Sequence, residues 1–160
     1  MPNLAMQYVL NLMPIASGRD LPGAAPFPGP SDRPEERLLG LDILIVEDET
    51  MLALDLAFAF EDAGAEVIGP SHTLDAAMAL VSQPGFRADA AVLDVDLAGR
   101  EVLPVAYKLV ELGIPFLFHT GHGDRQHLTS LFPGAIVCMK PTLSDELVAK
   151  LRKLTALSQR

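Results

Sequence analysis

The chain has little cysteine, little positive charge and no long apolar stretch, and each shortage removes a class of protein. Cys138 is its only cysteine, so no intramolecular disulfide is available, which suits a reducing compartment. Lys and Arg number 12 against 21 Asp and Glu, a net charge of -9 and a pI near 4.7. A surface made to neutralise nucleic-acid phosphates needs the opposite balance, so direct nucleic-acid binding is disfavoured. No apolar run reaches the ~18 residues that span a bilayer. Met1 to Met13 carries no Lys or Arg for the positive flank of a secretion signal. The expectation is an unprocessed cytoplasmic protein without a membrane partner. There is no internal repeat.

The length of 160 residues leaves room for one domain with a sizeable core and not for a second full one. With 49% hydrophobic and 21% charged residues, the composition is that of a globular chain rather than a disordered or collagen-like one. Seven of the 13 prolines fall in the first 40 residues, in a stretch that includes LPGAAPFPGPSDRPEER. That reads as an extended linker without its own core. Residues 1–40 are therefore taken as a flexible proline-rich extension, with a short amphipathic segment around Leu4, Tyr8 and Leu12 that is marginal as a helix. The folded domain is expected over 41–160.

From Leu41 short apolar runs alternate with helix-period segments, the mark of βαβ units and a parallel sheet. The runs are Ile43 to Val46, Val67 to Ile68, Ala90 to Leu93, Pro115 to Phe118 and Ala135 to Met139. They are continuous rather than alternating, as strands covered on both faces should be. Between them, Thr50 to Ala63, Leu74/Ala77/Met78/Val81 and Val102/Val105/Ala106/Leu109 read as helices that stop near Gly64, Gly85 and Gly113. Asp124 to Phe132 is a short, polar fourth helix. Leu147, Val148, Leu151 and Leu154 form the last one, behind a Thr142/Ser144 start. The predicted fold is α/β: a three-layer, doubly wound, five-stranded parallel sheet in the order 2-1-3-4-5.

In such a sheet ligands bind outside the carboxyl ends of the strands, near the switch point. Strand one ends in Glu47-Asp48-Glu49, strand three in Asp94-Val95-Asp96, strand four in Thr120-Gly121 and strand five in Lys140-Pro141. Carboxylates brought together repel and call for a cation, and an oxygen-only set suits Mg²⁺. Asp94 with Glu47 or Asp48 is the candidate set. A carboxylate there can also attack phosphorus, since phosphoryl transfer asks mainly for positioning and neutralised oxygens. Lys140 and the Thr120 hydroxyl would then hold the transferred oxygens.

LDILIVEDE, AVLDVDLAG, FHTGHG and CMKP stand in the order and spacing of the receiver domain of two-component response regulators, which the chain resembles over roughly residues 41–157. The fold that this implies is flavodoxin-like and CheY-like. Phe118-His119-Thr120-Gly121-His122 and GREVLPVAYKLVELGIPF resemble the single-domain FATGUY subgroup in particular. The resemblance implies Asp94 as phospho-acceptor, Glu47 and Asp48 as the acidic pair on Mg²⁺, and the Asp96 backbone carbonyl as a further ligand. It also implies Thr120 as switch hydroxyl, Lys140 as phosphoryl contact, and Pro141 after a cis peptide. The donor would be a sensor histidine kinase or a histidine phosphotransfer protein. Because the chain ends soon after its last helix, output would run through a downstream protein partner or a phosphorelay, without conventional enzyme turnover. Receivers usually carry a switch aromatic three residues before the lysine. Here that residue is Val137, and Phe118 is the possible substitute.

Taken singly, each signal has a plainer cause. Glu47-Asp48-Glu49 suits a helix N-terminus, Asp94-Val95-Asp96 and Thr120-Gly121 suit turns, and Lys140-Pro141 suits a helix approach. Their joint occurrence at four strand ends carries the reading. His119, His122 and His127 match no common zinc spacing, and Cys138 reads as a packed side chain. Gly121-His122-Gly123 lacks the features of a dinucleotide loop. Two other functions compete. One is a haloacid-dehalogenase-type phosphatase using Asp94 and Asp96, which the position on strand three and the missing cap domain disfavour. The other is a phosphorylation-independent receiver-like scaffold.

Overall fold

The computed structural model describes residues 38–121 and 125–158. The proline-rich extension up to Arg37, His122 to Asp124, which include the expected start of the fourth helix, and Gln159 and Arg160 lie outside the described residues. Leu38 begins the described chain, is fully buried, and donates its backbone N–H to the Ala63 carbonyl at 2.9 Å.

The elements run β1 (Asp42–Val46), α1 (Thr50–Asp62), β2 (Glu66–Ser71), α2 (Leu74–Val81), β3 (Ala90–Leu93), β4 (Asp96–Leu97), β5 (Arg100–Glu101), α3 (Leu103–Leu112), β6 (Phe116–Thr120), α4 (Arg125–Leu131), β7 (Ile136–Met139) and α5 (Ser144–Ser158). Five strands form one parallel sheet in the order β2-β1-β3-β6-β7. Counted along that sheet alone, this is the 2-1-3-4-5 order expected. All four residues of β3 and all five of β6 are buried, as continuous apolar runs between two helical layers require.

Strand residues alternate between two cores. Ile43, Ile45, Val92, Leu117 and Cys138 pack with Leu56 and Phe60 of α1 and with Leu147 and Leu151 of α5. Leu44, Val46, Leu93, Phe116, Phe118 and Val137 pack with α2, α3 and α4, through Ala77, Val105, Leu109 and Leu128. Helix ends follow local chemistry. Thr73 caps α2 by accepting from the Ala76 N–H at 3.2 Å, and Gly113 closes α3 in the left-handed conformation at φ 70°.

The structure moves several expected boundaries. β2 extends to Ser71, four residues longer than Val67–Ile68, because a bulge lets it stay paired with β1 beyond Ile68. The fourth main strand begins at Phe116, not Pro115, and runs on to Thr120, which therefore lies inside the ladder. A two-stranded hairpin, β4–β5, that the sequence reading did not include follows Asp94. Its two central residues, Ala98 at φ 54° and Gly99 at φ 85°, both have positive φ, the pattern of a type I′ turn. α4 is a single seven-residue helix with one buried residue, Leu128, in keeping with its short polar sequence. Among the described residues no helix is long and apolar enough to cross a membrane.

Candidate functional site

The strands stop in register, and hydrogen bonds continue the ladder one residue further at each end. Glu47 N–H donates to the Ser71 carbonyl at 3.0 Å, Asp94 N–H to the Val46 carbonyl at 2.8 Å, and Lys140 N–H to the Thr120 carbonyl at 2.8 Å. The backbone of each candidate residue is thereby fixed before its side chain is considered. β1 delivers Glu47 and Asp48, β3 delivers Asp94, β6 delivers Thr120, and β7 delivers Lys140.

The side chains converge. Lys140 Nζ donates to Asp94 Oδ2 at 2.7 Å and lies 2.9 and 2.8 Å from the two Glu47 oxygens. Glu47 and Asp94 are both buried, at 1% and 6% exposure. Two carboxylates out of water around one ammonium leave an excess of negative charge. Burial, with Asp94 adding to it and Lys140 opposing it, pushes the Glu47 carboxyl up to about 7. The two carboxylates, both by hydrogen bond and by charge, outweigh desolvation and raise the Lys140 pKa, so the ammonium stays charged.

Carboxylate oxygens of Glu47, Asp48 and Asp94 all lie within 4.8 Å of one another. That close an oxygen-only set, with one member half-buried and open, fits a hard divalent cation that keeps several waters. Asp48 also holds the hairpin, its Oδ2 accepting from the Ala98 N–H at 3.0 Å. That bond supports a non-glycine residue at positive φ, which ordinarily costs about 1 kcal/mol. Asp96 is exposed, and its Oδ1 accepts from the Gly99 N–H at 2.6 Å, closing its own turn. The Asp96 N–H faces Asp94 Oδ1 at 3.4 Å.

Thr120 is buried at the end of β6. Gly121 follows it, and a Cβ there would only touch the Lys140 side chain at 4.0 Å. Pro141 follows a cis Lys140–Pro141 peptide, as the sequence resemblance implied. Phe118 is fully buried and sits in an aromatic cluster, 5.3 Å from Phe116 and 5.6 Å from Phe132 between ring centroids, with Tyr107 4.9 Å from Phe132. It links the strand carrying Thr120 to the residue that follows α4. Val137 is packed in that same core.

Two residues near the site were not visible in advance as part of it. His72 Nδ1 lies 2.8 Å from the Glu47 carbonyl oxygen; its place just beyond the end of β2 was the available clue. His119 is 1% exposed, and neither ring nitrogen has a hydrogen-bond partner among the described residues. Burial, with Lys140 adding to it, lowers its pKa to about 4, so the ring is neutral at neutral pH. His127 is exposed on α4. Cys138 is buried, and burial pushes its thiol pKa up, the opposite of an activated thiolate.

No protein-family model matches the chain, and no curated protein matches it in sequence. Solved structures do. The chain is similar to a response regulator receiver protein from Sinorhizobium medicae, with TM-score 0.67 and 24% identity over 74% of this chain and 97% of that one. It is similar to the response regulator PhyR from Brucella abortus, with TM-score 0.67 and 26% identity over 79% of this chain and 52% of that one. A third similarity is to the signal receiver domain of a modulated diguanylate cyclase from Desulfovibrio desulfuricans, with TM-score 0.65 and 25% identity over 75% and 97%. The fold is that of CheY-like receiver domains.

Proposed function

We propose that the chain is a phosphoryl-accepting receiver in which residues 41–160 form the signalling unit and Asp94 is the acceptor. The observation that carries this reading is the convergence of Lys140 on Asp94 and Glu47 at 2.7 to 2.9 Å, beside an oxygen-only acidic set. In the reaction, an Asp94 carboxylate oxygen bonds to phosphorus as the P–N bond of a donor phosphohistidine breaks. The electron pair of that bond leaves with the donor imidazole, and an acyl phosphate remains on Asp94.

Mg²⁺ would be held by Glu47, Asp48 and Asp94, with the Asp96 carbonyl as a further ligand, and would supply charge neutralisation of the phosphoryl oxygens. Lys140 is already charged and within reach, and its bond to Asp94 is exchanged for one to the transferred group. Thr120 supplies the hydroxyl on the neighbouring strand. Phe118, buried between Thr120's strand and Phe132, stands in for the aromatic missing at Val137 and passes a change at Thr120 toward α4.

The donor is a sensor histidine kinase or a histidine phosphotransfer protein, and the output is contact with a protein partner or onward relay, as in the FATGUY subgroup. A cytoplasmic setting suits both. The phosphatase alternative gains no support, since Asp96 is turned to Gly99 and away from a general-acid role. Beryllofluoride with Mg²⁺ tests the reading: it should bind the wild-type chain and shift the amide signals of Thr120 and Lys140. Binding of equal strength to Asp94→Ala would remove Asp94 from the acceptor role.

A further inference from the structure

We propose that His72 is a positioning residue for the acidic turn: its Nδ1–H bond to the Glu47 carbonyl sets the peptide joining Glu47 to Asp48, and so tunes uptake of a divalent cation. The inference rests on the receiver reading above and concerns a residue that phosphoryl chemistry does not itself require.

The arrangement is built by the local sequence Gly69-Pro70-Ser71-His72. β2 pairs with β1 at Asp42↔Glu66, Ile43↔Val67 and Leu44↔Ile68, and next at Val46↔Ser71. β1 advances two residues (44 to 46) while β2 advances three (68 to 71), so β2 carries one extra residue, a bulge. Gly69 makes the bulge possible. It lies at φ 95°, and a Cβ there would meet the Ser71 nitrogen at 2.8 Å and the Ile45 oxygen at 3.0 Å. Any other residue would collide with backbone on two strands.

Beyond the bulge the strand end is re-aimed, and two successive residues hold both backbone groups of Glu47. The Ser71 carbonyl accepts its N–H at 3.0 Å, and His72 Nδ1 meets its carbonyl oxygen at 2.8 Å. A carbonyl has no proton to give, so Nδ1 must carry the proton and donate. The peptide thus oriented leads directly into Asp48, whose carboxylate is held from the opposite side by the Ala98 N–H at 3.0 Å. The acidic turn is therefore fixed from both flanks, by His72 at the end of β2 and by the hairpin after Asp94. Thr73, the next residue, caps α2, which keeps the His72 backbone in place without involving its ring.

Groups that orient metal-binding residues typically change metal affinity by about 10- to 100-fold when removed. Because His72 is exposed, the expected effect lies at or below the lower end of that range. The test is Mg²⁺ titration of the full chain by calorimetry at one fixed pH, with the Asp48 amide signal followed in parallel. His72→Leu, which keeps bulk and removes the donor, should weaken Mg²⁺ binding by about three- to tenfold and move the Asp48 amide. His72→Asn, whose side-chain N–H can stand near the Nδ1 position, should restore affinity to within about twofold. Wild-type affinity in His72→Leu would overturn the inference, and so would a His72→Asn variant as weak as His72→Leu. Failure of the folded wild-type chain to bind Mg²⁺ would instead overturn the receiver reading, and this inference with it.

Discussion

On the acid-bearing flank, around β1 and β3, hydrogen bonds fix the site step by step, whereas on the α4 flank, around β6 and the helix that follows, apolar packing carries most of the hold. Glu47 is bonded through its N–H, its carbonyl and its carboxylate, and Asp48 through its carboxylate. α1, which leaves that flank, buries four residues over 13. α4 has seven residues and buries only Leu128, and the ring contacts of Phe118 with Phe132 connect its end to β6. Chemistry that depends on geometry is thus placed where the chain is over-determined. Under the proposed receiver reading the responding element is α4, whose single buried residue is expected to give it low local stability.

Perturbing the acid flank should have the largest effect. Lys140→Met leaves the buried Glu47 and Asp94 carboxylates without their shared cation, which should cost about 3 kcal/mol in metal-free buffer at pH 8. Glu47 has a folded pKa raised to about 7 from 4.5, so acidification through that window protonates it in the folded state first and favours folding. The penalty should therefore shrink between pH 8 and pH 5, and Mg²⁺ should offset part of it. Urea denaturation at the two pH values checks this; a loss independent of pH would mean that carboxylate repulsion is not its cause.

Leu128→Ala probes the other flank. It should lower hydrogen-exchange protection in residues 125–131 by about 2 kcal/mol, while Mg²⁺ affinity stays within about twofold. Equal loss of protection in β1 and β3 would show that the two flanks open as one unit.

His119 sits beside both flanks and gives the smallest expected change. Replacing it by Leu removes two unpartnered buried nitrogens and should stabilise the fold by about 1 to 2 kcal/mol at pH 7. Its folded pKa of about 4 lies below the ordinary 6.5, so between those values the unfolded chain binds the proton. The wild type should therefore lose stability relative to His119→Leu as pH falls from 6.5 to 4. Glu47 acts in the opposite direction above pH 4.5 in both proteins, so their difference isolates His119. Parallel unfolding curves at pH 5 and pH 7 that give the same difference would contradict this.

Much of the fold could be read from residues 41 onward because buried parallel strands leave continuous apolar runs, and because Gly113 ends its helix where the periodicity stops. The meeting of three strand ends was legible for the same reason: in this topology the carboxylates of Glu47, Asp48 and Asp94 and the lysine of Lys140 are brought together. What could not be read depends on contacts between distant segments. Ala98-Gly99 gives no recognised hairpin signal, since the positive φ of Ala98 is supported by Asp48, fifty positions earlier. The bulge at Gly69 shows only once β2 is laid against β1, and His72 gains its role only from that bulge. His119 is buried in β6, and that neither of its ring nitrogens has a partner among the described residues follows from the packing around it.

Under the proposed reading, Asp94 accepts a phosphoryl group in a Mg²⁺-dependent reaction. Its most direct test is the intact mass of the chain after incubation with acetyl phosphate, with and without Mg²⁺, beside Asp94→Asn. A single added phosphoryl group is expected on the wild type, dependent on Mg²⁺ and absent from the variant. An adduct that persists in Asp94→Asn, or forms equally well without Mg²⁺, would contradict that reading.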